Sequence, residues 1–200
     1  MASQVYTHVK HEFEPVFDEE SRILILGTLP SVKSREQQFY YGHKQNRFWK
    51  VLAAICGDPV PAETDEKKEF LLKNHIAVWD VIAECDIIGS SDSSIKNVVP
   101  ADLNRILAQT EIRTIYANGA TAYRLYMKYS YGLTGREIVK LPSTSPANAA
   151  FSLERLIREW EREIRTPLSE RLCYTEKNIC FEYKNYYDAA AGSGCIRRSK

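Results

Sequence analysis

Arg22-Ile23-Leu24-Ile25-Leu26-Gly27-Thr28-Leu29-Pro30-Ser31 begins a stretch that continues V-K-S-R-E-Q-Q-F-Y-Y-G-H-K-Q-N-R-F-W to Trp49. Ile23–Leu26 is an unbroken apolar run, the pattern of a strand buried on both faces of a parallel sheet. Gly27 stops it, and Thr28-Leu29-Pro30-Ser31 reads as a polar turn. Three adjacent aromatics follow, Phe39, Tyr40 and Tyr41, and then the cluster His43, Asn46, Arg47, Phe48 and Trp49. Ligands of α/β proteins gather just past the carboxyl ends of parallel strands. This loop is therefore a candidate site for a flat ligand.

The rest of the chain repeats the alternation. Ile76–Trp79, Thr114–Ala117 and Ile138–Leu141 read as further strands. Helices are expected at Arg47–Cys56, Glu63–Lys73, Pro100–Gln109, Ala120–Tyr129 and Ser152–Ile164, where Leu153, Leu156, Ile157 and Trp160 share one face. Asp86–Asn97, rich in Gly and Ser, reads as a loop. Strands alternating with helices imply a mainly parallel sheet covered on both faces. A domain is expected over residues 1–165, followed by a 166–200 extension whose last part reads as a flexible, mildly basic tail.

Bulk composition narrows the class without naming it. Two hundred residues, 44% of them hydrophobic, bury a sizeable core in one domain. The net charge of +1, from 27 basic and 26 acidic residues, neither announces nor excludes a nucleic-acid binder, because a local basic patch can sit on a neutral protein. Five cysteines form no C-x-x-C pair and no zinc or iron–sulfur spacing, so reduced thiols are expected. His8 and His11, three apart, could share a helix face as metal ligands, but ordinary surface residues are the better reading. No apolar signal core opens the chain, and no apolar run reaches the roughly 18 residues of a membrane span. A cytosolic protein with no membrane association is expected.

Familiar catalytic signatures are missing. There is no G-x-x-x-x-G-K-[ST], no G-x-G-x-x-G after the first strand and no G-x-S-x-G elbow. Ser31 has no evident partner base, so a turn-capping role is expected. Three loops would meet above the sheet: Gly27–Trp49, Asp80–Asn97 and Pro142–Asn148. Their polar residues are mostly Ser, Thr, Asn and Tyr. Such a pocket offers little acid or base help, which suits a flat heterocycle that departs with its own bonding electrons.

I-L-G-T-L-P-S-V-K-S with Y-Y-G-H-K-Q-N-R-F-W-K-V-L resembles the first motif of the uracil-DNA glycosylase superfamily, most closely its hypoxanthine-DNA (deoxyinosine) glycosylase branch. W-D-V-I-A-E-C, G-S-S-D-S-S-I-K-N and L-P-S-T-S-P-A-N-A resemble the later signatures of that branch, and the similarity covers roughly residues 8 to 164. The resemblance implies a three-layer α/β/α sandwich with a central four-stranded sheet. It also implies base flipping out of DNA, excision of hypoxanthine without metal or other cofactor, and an abasic product.

The resemblance assigns roles as well. The third position of the G-x-x-P turn, an asparagine in mismatch-specific relatives, is Leu29 here, and the aspartate of the uracil enzymes is absent. The catalytic asparagine moves to Asn46. Its amide could donate to O6 or N7 of the leaving base, or its carbonyl could hold the attacking water. From the residues alone Asn46 is equally an N-cap for the following helix. Gly27, Thr28, Leu29, Pro30, Ser31, Tyr41, His43 and Asp80 would form the base pocket, with Tyr41 stacking on the base. Ser143, Thr144, Ser145, Pro146, Ala147 and Asn148 would clamp phosphate and fill the gap left by the flipped base. Lys33, Arg35, Lys44 and Arg47 would supply a local positive field. No lysine is placed as an imine-forming nucleophile, so no lyase step is expected.

Overall fold

The computed structural model describes residues 5–89 and 91–169. Its organising element is β2 (Ile23–Gly27), whose Ile23, Leu24, Ile25 and Leu26 are all fully buried. β2 pairs in parallel with β3 (Ile76–Asp80) on one side and β6 (Thr114–Asn118) on the other, and β7 (Ile138–Leu141) extends the sheet beyond β6. All four strands expected from the apolar runs are therefore present, in the order β3-β2-β6-β7. A strand with neighbours on both edges and helices over both faces has no polar surface to show, so its sequence is continuously apolar.

From β2 the chain passes through α1 (Val32–Glu36), α2 (Phe48–Cys56) and α3 (Thr64–Lys73) to β3. Ser31 caps α1, its side chain accepting from the Ser34 amide at 3.2 Å. Gly57 ends α2 with a φ of 70°, a left-handed conformation that glycine adopts without strain. From β6 the chain returns through α5 (Ala120–Tyr129) to β7 in the opposite direction along the sheet. Right-handed crossovers in opposite directions place α2–α3 and α5 on opposite faces. α7 (Leu153–Ser169) packs against α2 and β2. Its Trp160 is fully buried and donates Nε1–H to the Pro142 carbonyl at 2.9 Å.

Three strands were not expected. β1 (Thr7–Lys10), β4 (Ile82–Ile87) and β5 (Lys96–Pro100) form a separate antiparallel sheet in the order β1-β4-β5. It corrects the loop expected over Asp86–Asn97, of which only the middle is irregular, with a 3₁₀ turn at Asp92–Ser94. The β4–β5 pairing shifts register twice, which destroys the two-residue alternation that marks a strand in sequence. The helix expected from Pro100 shrinks to α4 (Asn104–Leu107), because Pro100 ends β5 opposite Ile82 and the Ala101 amide still donates to Val81. α6 (Tyr131–Thr134) is a single added turn. His8 and His11 lie on or just after β1 rather than on a helix. α7 runs past residue 165, and the expected flexible tail falls outside the described residues from 170 onward.

Leu26→Ala is expected to lower unfolding stability by about 2–5 kcal/mol, as a large side chain removed from a closed core. Val99→Ala, at 48% exposure on β5, should change it by less than about 0.5 kcal/mol. Urea denaturation of both variants checks the contrast, and equal effects would contradict the assignment of β2 as the core strand.

Candidate active site

β2 sends its chain towards β3 and β6 sends its chain away towards β7, so a crevice opens between the carboxyl ends of β2 and β6. Gly27 ends β2, Asp80 ends β3 and Asn118 ends β6. A cavity of about 140 Å³ fills the crevice. It is lined by Gly27, Thr28, Leu29, Pro30, Ser31, Tyr41, Asn46, Asp80, Ser143, Thr144 and Ser145 from the expected set. Ser34, Tyr40, Asp92 and Asn118 also line it and were not expected.

Asn46 stands where two loops meet. Its Oδ1 accepts the Phe48 amide at 3.0 Å and the Thr144 hydroxyl at 2.9 Å. The first bond is a local Asx-type turn one residue ahead of α2, whose N-cap is Arg47 and not the Asn46 expected from the sequence; the second comes from a loop 98 positions away. An amide oxygen has two lone pairs, and both are used. The polarity of the second bond is set upstream. Asn118 Nδ2 donates to Thr144 Oγ1 at 2.9 Å, and the Thr144 amide donates to Asn118 Oδ1 at 2.9 Å. With the Thr144 oxygen accepting from Asn118, its proton turns to Asn46 Oδ1, so the Asn46 amino group takes part in neither bond of this residue, which lines the cavity.

Thr144 is fully buried, so this network corrects its expected role: neither its hydroxyl nor its amide is available to a phosphate. Arg47 is corrected in the same way. Its backbone amide and Nε both donate to the Thr144 carbonyl, at 3.1 and 3.3 Å. Its terminal nitrogens donate to the carbonyls of Ser145 at 2.7 Å, Asn148 at 3.0 Å and Phe151. The guanidinium holds the second loop in place instead of facing DNA. Asn148 completes that loop by donating Nδ2 to the Ser143 carbonyl at 2.9 Å, and it lines neither the cavity nor its mouth.

Tyr41, with a φ of 52°, stacks one ring face on Phe48, centroids 3.7 Å apart at 19°. Phe48 is thus the backing of the pocket aromatic. Burial, with the Asp80 charge adding to it, pushes the Tyr41 hydroxyl well above the ordinary tyrosine range, and Tyr40 is displaced upward for the same two reasons. Desolvation also raises the Asp92 carboxyl, opposed by a hydrogen bond from Thr121 and by the Arg124 charge. Neither tyrosine is a general base near neutral pH.

Outside the cavity lies a wider groove of about 600 Å³. Leu29, Pro30, Ser31, Asn46, Asp92 and Ser145 belong to both spaces. Lys33, Arg35, His43, Pro146 and Ala147 line the groove alone. His43 is exposed there and outside the cavity, which corrects its place in the base pocket. Among the described residues no three His, Cys, Asp or Glu side chains converge as metal ligands. Asn118 carried the same signal as Gly27, a turn closing a buried strand at Asn118-Gly119, and the rule that located the first loop locates it too.

Arg47→Lys is expected to destabilise the protein by about 1–3 kcal/mol, because an ammonium cannot reach four carbonyls from one planar fork. Amide exchange should rise selectively over residues 143–148. Unchanged exchange there would show that the loop is ordered by its own turns.

The uracil DNA glycosylase superfamily model matches residues 14–165. A hypoxanthine DNA glycosylase of Methanosarcina acetivorans is 38% identical over 159 residues, spanning 78% of this chain and 99% of that protein. A second hypoxanthine DNA glycosylase, from Methanosarcina barkeri, is 39% identical over 89 residues, 44% of this chain and 56% of its own. The solution structure of a Methanosarcina acetivorans protein, provisionally described as a uracil DNA glycosylase, superposes with a TM-score of 0.67 at 35% identity, over 78% of this chain and 96% of that one. The match spans the parallel sheet, all three loops and α2 through α7, and on that ground the chain belongs to the uracil DNA glycosylase superfamily.

Proposed function

We propose that this DNA glycosylase flips deoxyinosine out of DNA, hydrolyses its glycosidic bond and releases hypoxanthine, leaving an abasic site. The observation that carries this reading is the polarity of Asn46. With Oδ1 occupied by the Phe48 amide and the Thr144 hydroxyl, the group presented to a ligand is the amino group. A donor at that place stabilises a leaving base. As the C1′–N9 bond breaks, its electron pair passes to the purine, and negative charge gathers at N7 and O6. Asn46 Nδ2–H donates to that edge while water adds to the sugar cation on the other side. The names of the two Methanosarcina relatives point to the same base.

The other assignments follow from position. Tyr41, backed by Phe48, offers its free side to the flipped base. Pro146 and Ala147, exposed at the groove, occupy the space the base vacates in the duplex. Lys33, Arg35 and His43 line that groove and exposed Lys44 adjoins it, suiting them to phosphates. No lysine lines the cavity among the described residues, in keeping with hydrolysis without a lyase step. The protein would act as a monomer on double- or single-stranded DNA. Uracil is the rival base, favoured by the description of the solved relative.

Duplexes carrying one deoxyinosine, deoxyuridine or deoxyxanthosine, incubated with protein and then with alkali, test the reading. Deoxyinosine should give the fastest strand break, and no break without alkali treatment. Asn46→Ala should slow release by about 10²–10³, the worth of one preorganised donor at a developing charge. Thr144→Val, which keeps the shape and frees the amide to rotate, should lower kcat by about tenfold with KM little changed. Full activity in Asn46→Ala would remove Asn46 from the chemistry.

A further inference from the structure

Asp92, from the stretch G-S-S-D-S-S-I-K-N, opens the 3₁₀ turn Asp92–Ser94 between β4 and β5. The turn is fastened by Ser94, whose Oγ accepts the Ile88 amide at 2.8 Å and donates to the Ser91 carbonyl at 2.7 Å. Thr121, in the first turn of α5, hydrogen-bonds the Asp92 carboxylate, and the Arg124 charge acts on it from one turn further along. Flipping puts a base in the cavity and leaves the flanking phosphates in the groove, so the deoxyribose falls where the two spaces join. Leu29, Pro30, Ser31, Asn46, Asp92 and Ser145 line both spaces, and of these Asp92 alone ionises.

The other polar groups at this neck are engaged. Ser31 Oγ bonds Ser34 at 3.0 and 3.2 Å, Ser145 Oγ accepts the Ala147 amide at 3.3 Å, and both lone pairs of Asn46 Oδ1 are used. Asp80 is a carboxylate too, but it lines the cavity and not the groove. Its Oδ2 accepts from His11, which the sequence reads as a surface residue and the fold buries to 5% exposure. We propose that Asp92 is the base of the hydrolysis, its carboxylate orienting the attacking water at C1′ and taking its proton. This inference rests on the glycosylase reading above. The C1′–N9 bond breaks with its electron pair passing to the purine, and the carboxylate stabilises the sugar cation that remains. A water lone pair then forms the C1′–O bond, and the released proton passes to Asp92. From there it reaches the departed hypoxanthine anion through solvent, which regenerates the carboxylate. A negative group beside a polyanion opposes binding, so affinity and chemistry should respond to Asp92 in opposite directions.

Single-turnover release of hypoxanthine from a deoxyinosine duplex tests the proposal, alongside binding to a duplex with a tetrahydrofuran abasic analogue. Asp92→Asn keeps the shape and an acceptor for Thr121. It should slow release by about 10²-fold while binding the analogue as tightly as wild type or more so. The charged groups acting on Asp92 are Arg124 of α5 and Asp80 of β3, and Lys33, Arg35 and His43 line the same groove. Desolvation raises the Asp92 carboxyl from its ordinary value, so the wild-type rate should fall as pH drops through that raised ionisation. This acid limb should be absent in Asp92→Asn. Arg124→Gln, which removes a charge that holds the carboxyl down, should move the limb to higher pH. Release by Asp92→Asn within about threefold of wild type overturns the proposal, as does an acid limb that survives the substitution. Slow release together with lost binding of the analogue also overturns it, because Asp92 would then serve only to hold its loop. Failure of wild type to release hypoxanthine at all would instead refute the glycosylase reading.

Discussion

Arg47 joins two loops that lie 97 positions apart in the chain. Its guanidinium meets carbonyl oxygens and no carboxylate, donating to Thr144, Ser145, Asn148 and Phe151. Carbonyl dipoles compensate the charge, and the rigid fork suits several acceptors at once. Everything at the mouth of the crevice depends on this junction. It holds Thr144 beside Asn46 and ties down the 143–148 loop. A satisfied polar network of this kind gives one arrangement of the loops in place of many.

The site built on that junction is polar but sparing in charge. Asn118, Thr144 and Asn46 form a directed chain of hydrogen bonds that ends on the Asn46 oxygen and leaves its amino group out of the chain. Asp80 lines the same cavity from the end of β3, with Oδ2 accepting from His11 Nε2–H at 3.0 Å. With the Asn46 amide it gives the cavity wall both donors and acceptors. That fits a reaction in which the base departs on its own electrons and the protein needs only to be ready for the charge. Cationic side chains are kept to the outer groove, where Lys33 and Arg35 stand, so attraction to a polyanion and chemistry on a base occupy separate spaces.

Much of this was legible before any coordinates. Ile23–Leu26 announced a doubly covered strand because burial on both faces removes every polar position. The same logic held for β3, β6 and β7. The antiparallel sheet was hidden because β4 is shifted in register against β5, and its partner β1 lies 78 positions away at His8–Asp86. Pro100 read as a helix start because a proline fits a first helical turn and the end of a strand equally well. Among site residues, Asn46 is legible in its motif, whereas Asn118 reads only as the close of a strand.

The linear chain carried the parallel strands, the loop after β2 and the resemblance that singled out Asn46, since each is written in contiguous residues. Which end of the Asn46 amide faces the cavity was settled only in three dimensions. An amide has a donor end and an acceptor end of nearly the same shape, and sequence is blind to the difference. The choice is made by Thr144, itself oriented by Asn118, from two other loops of the fold. Arg47, Thr144 and His11 likewise took their roles from partners distant in the chain. Hydrogen-bond direction and burial are properties of where groups meet, and only tertiary structure brings these groups together.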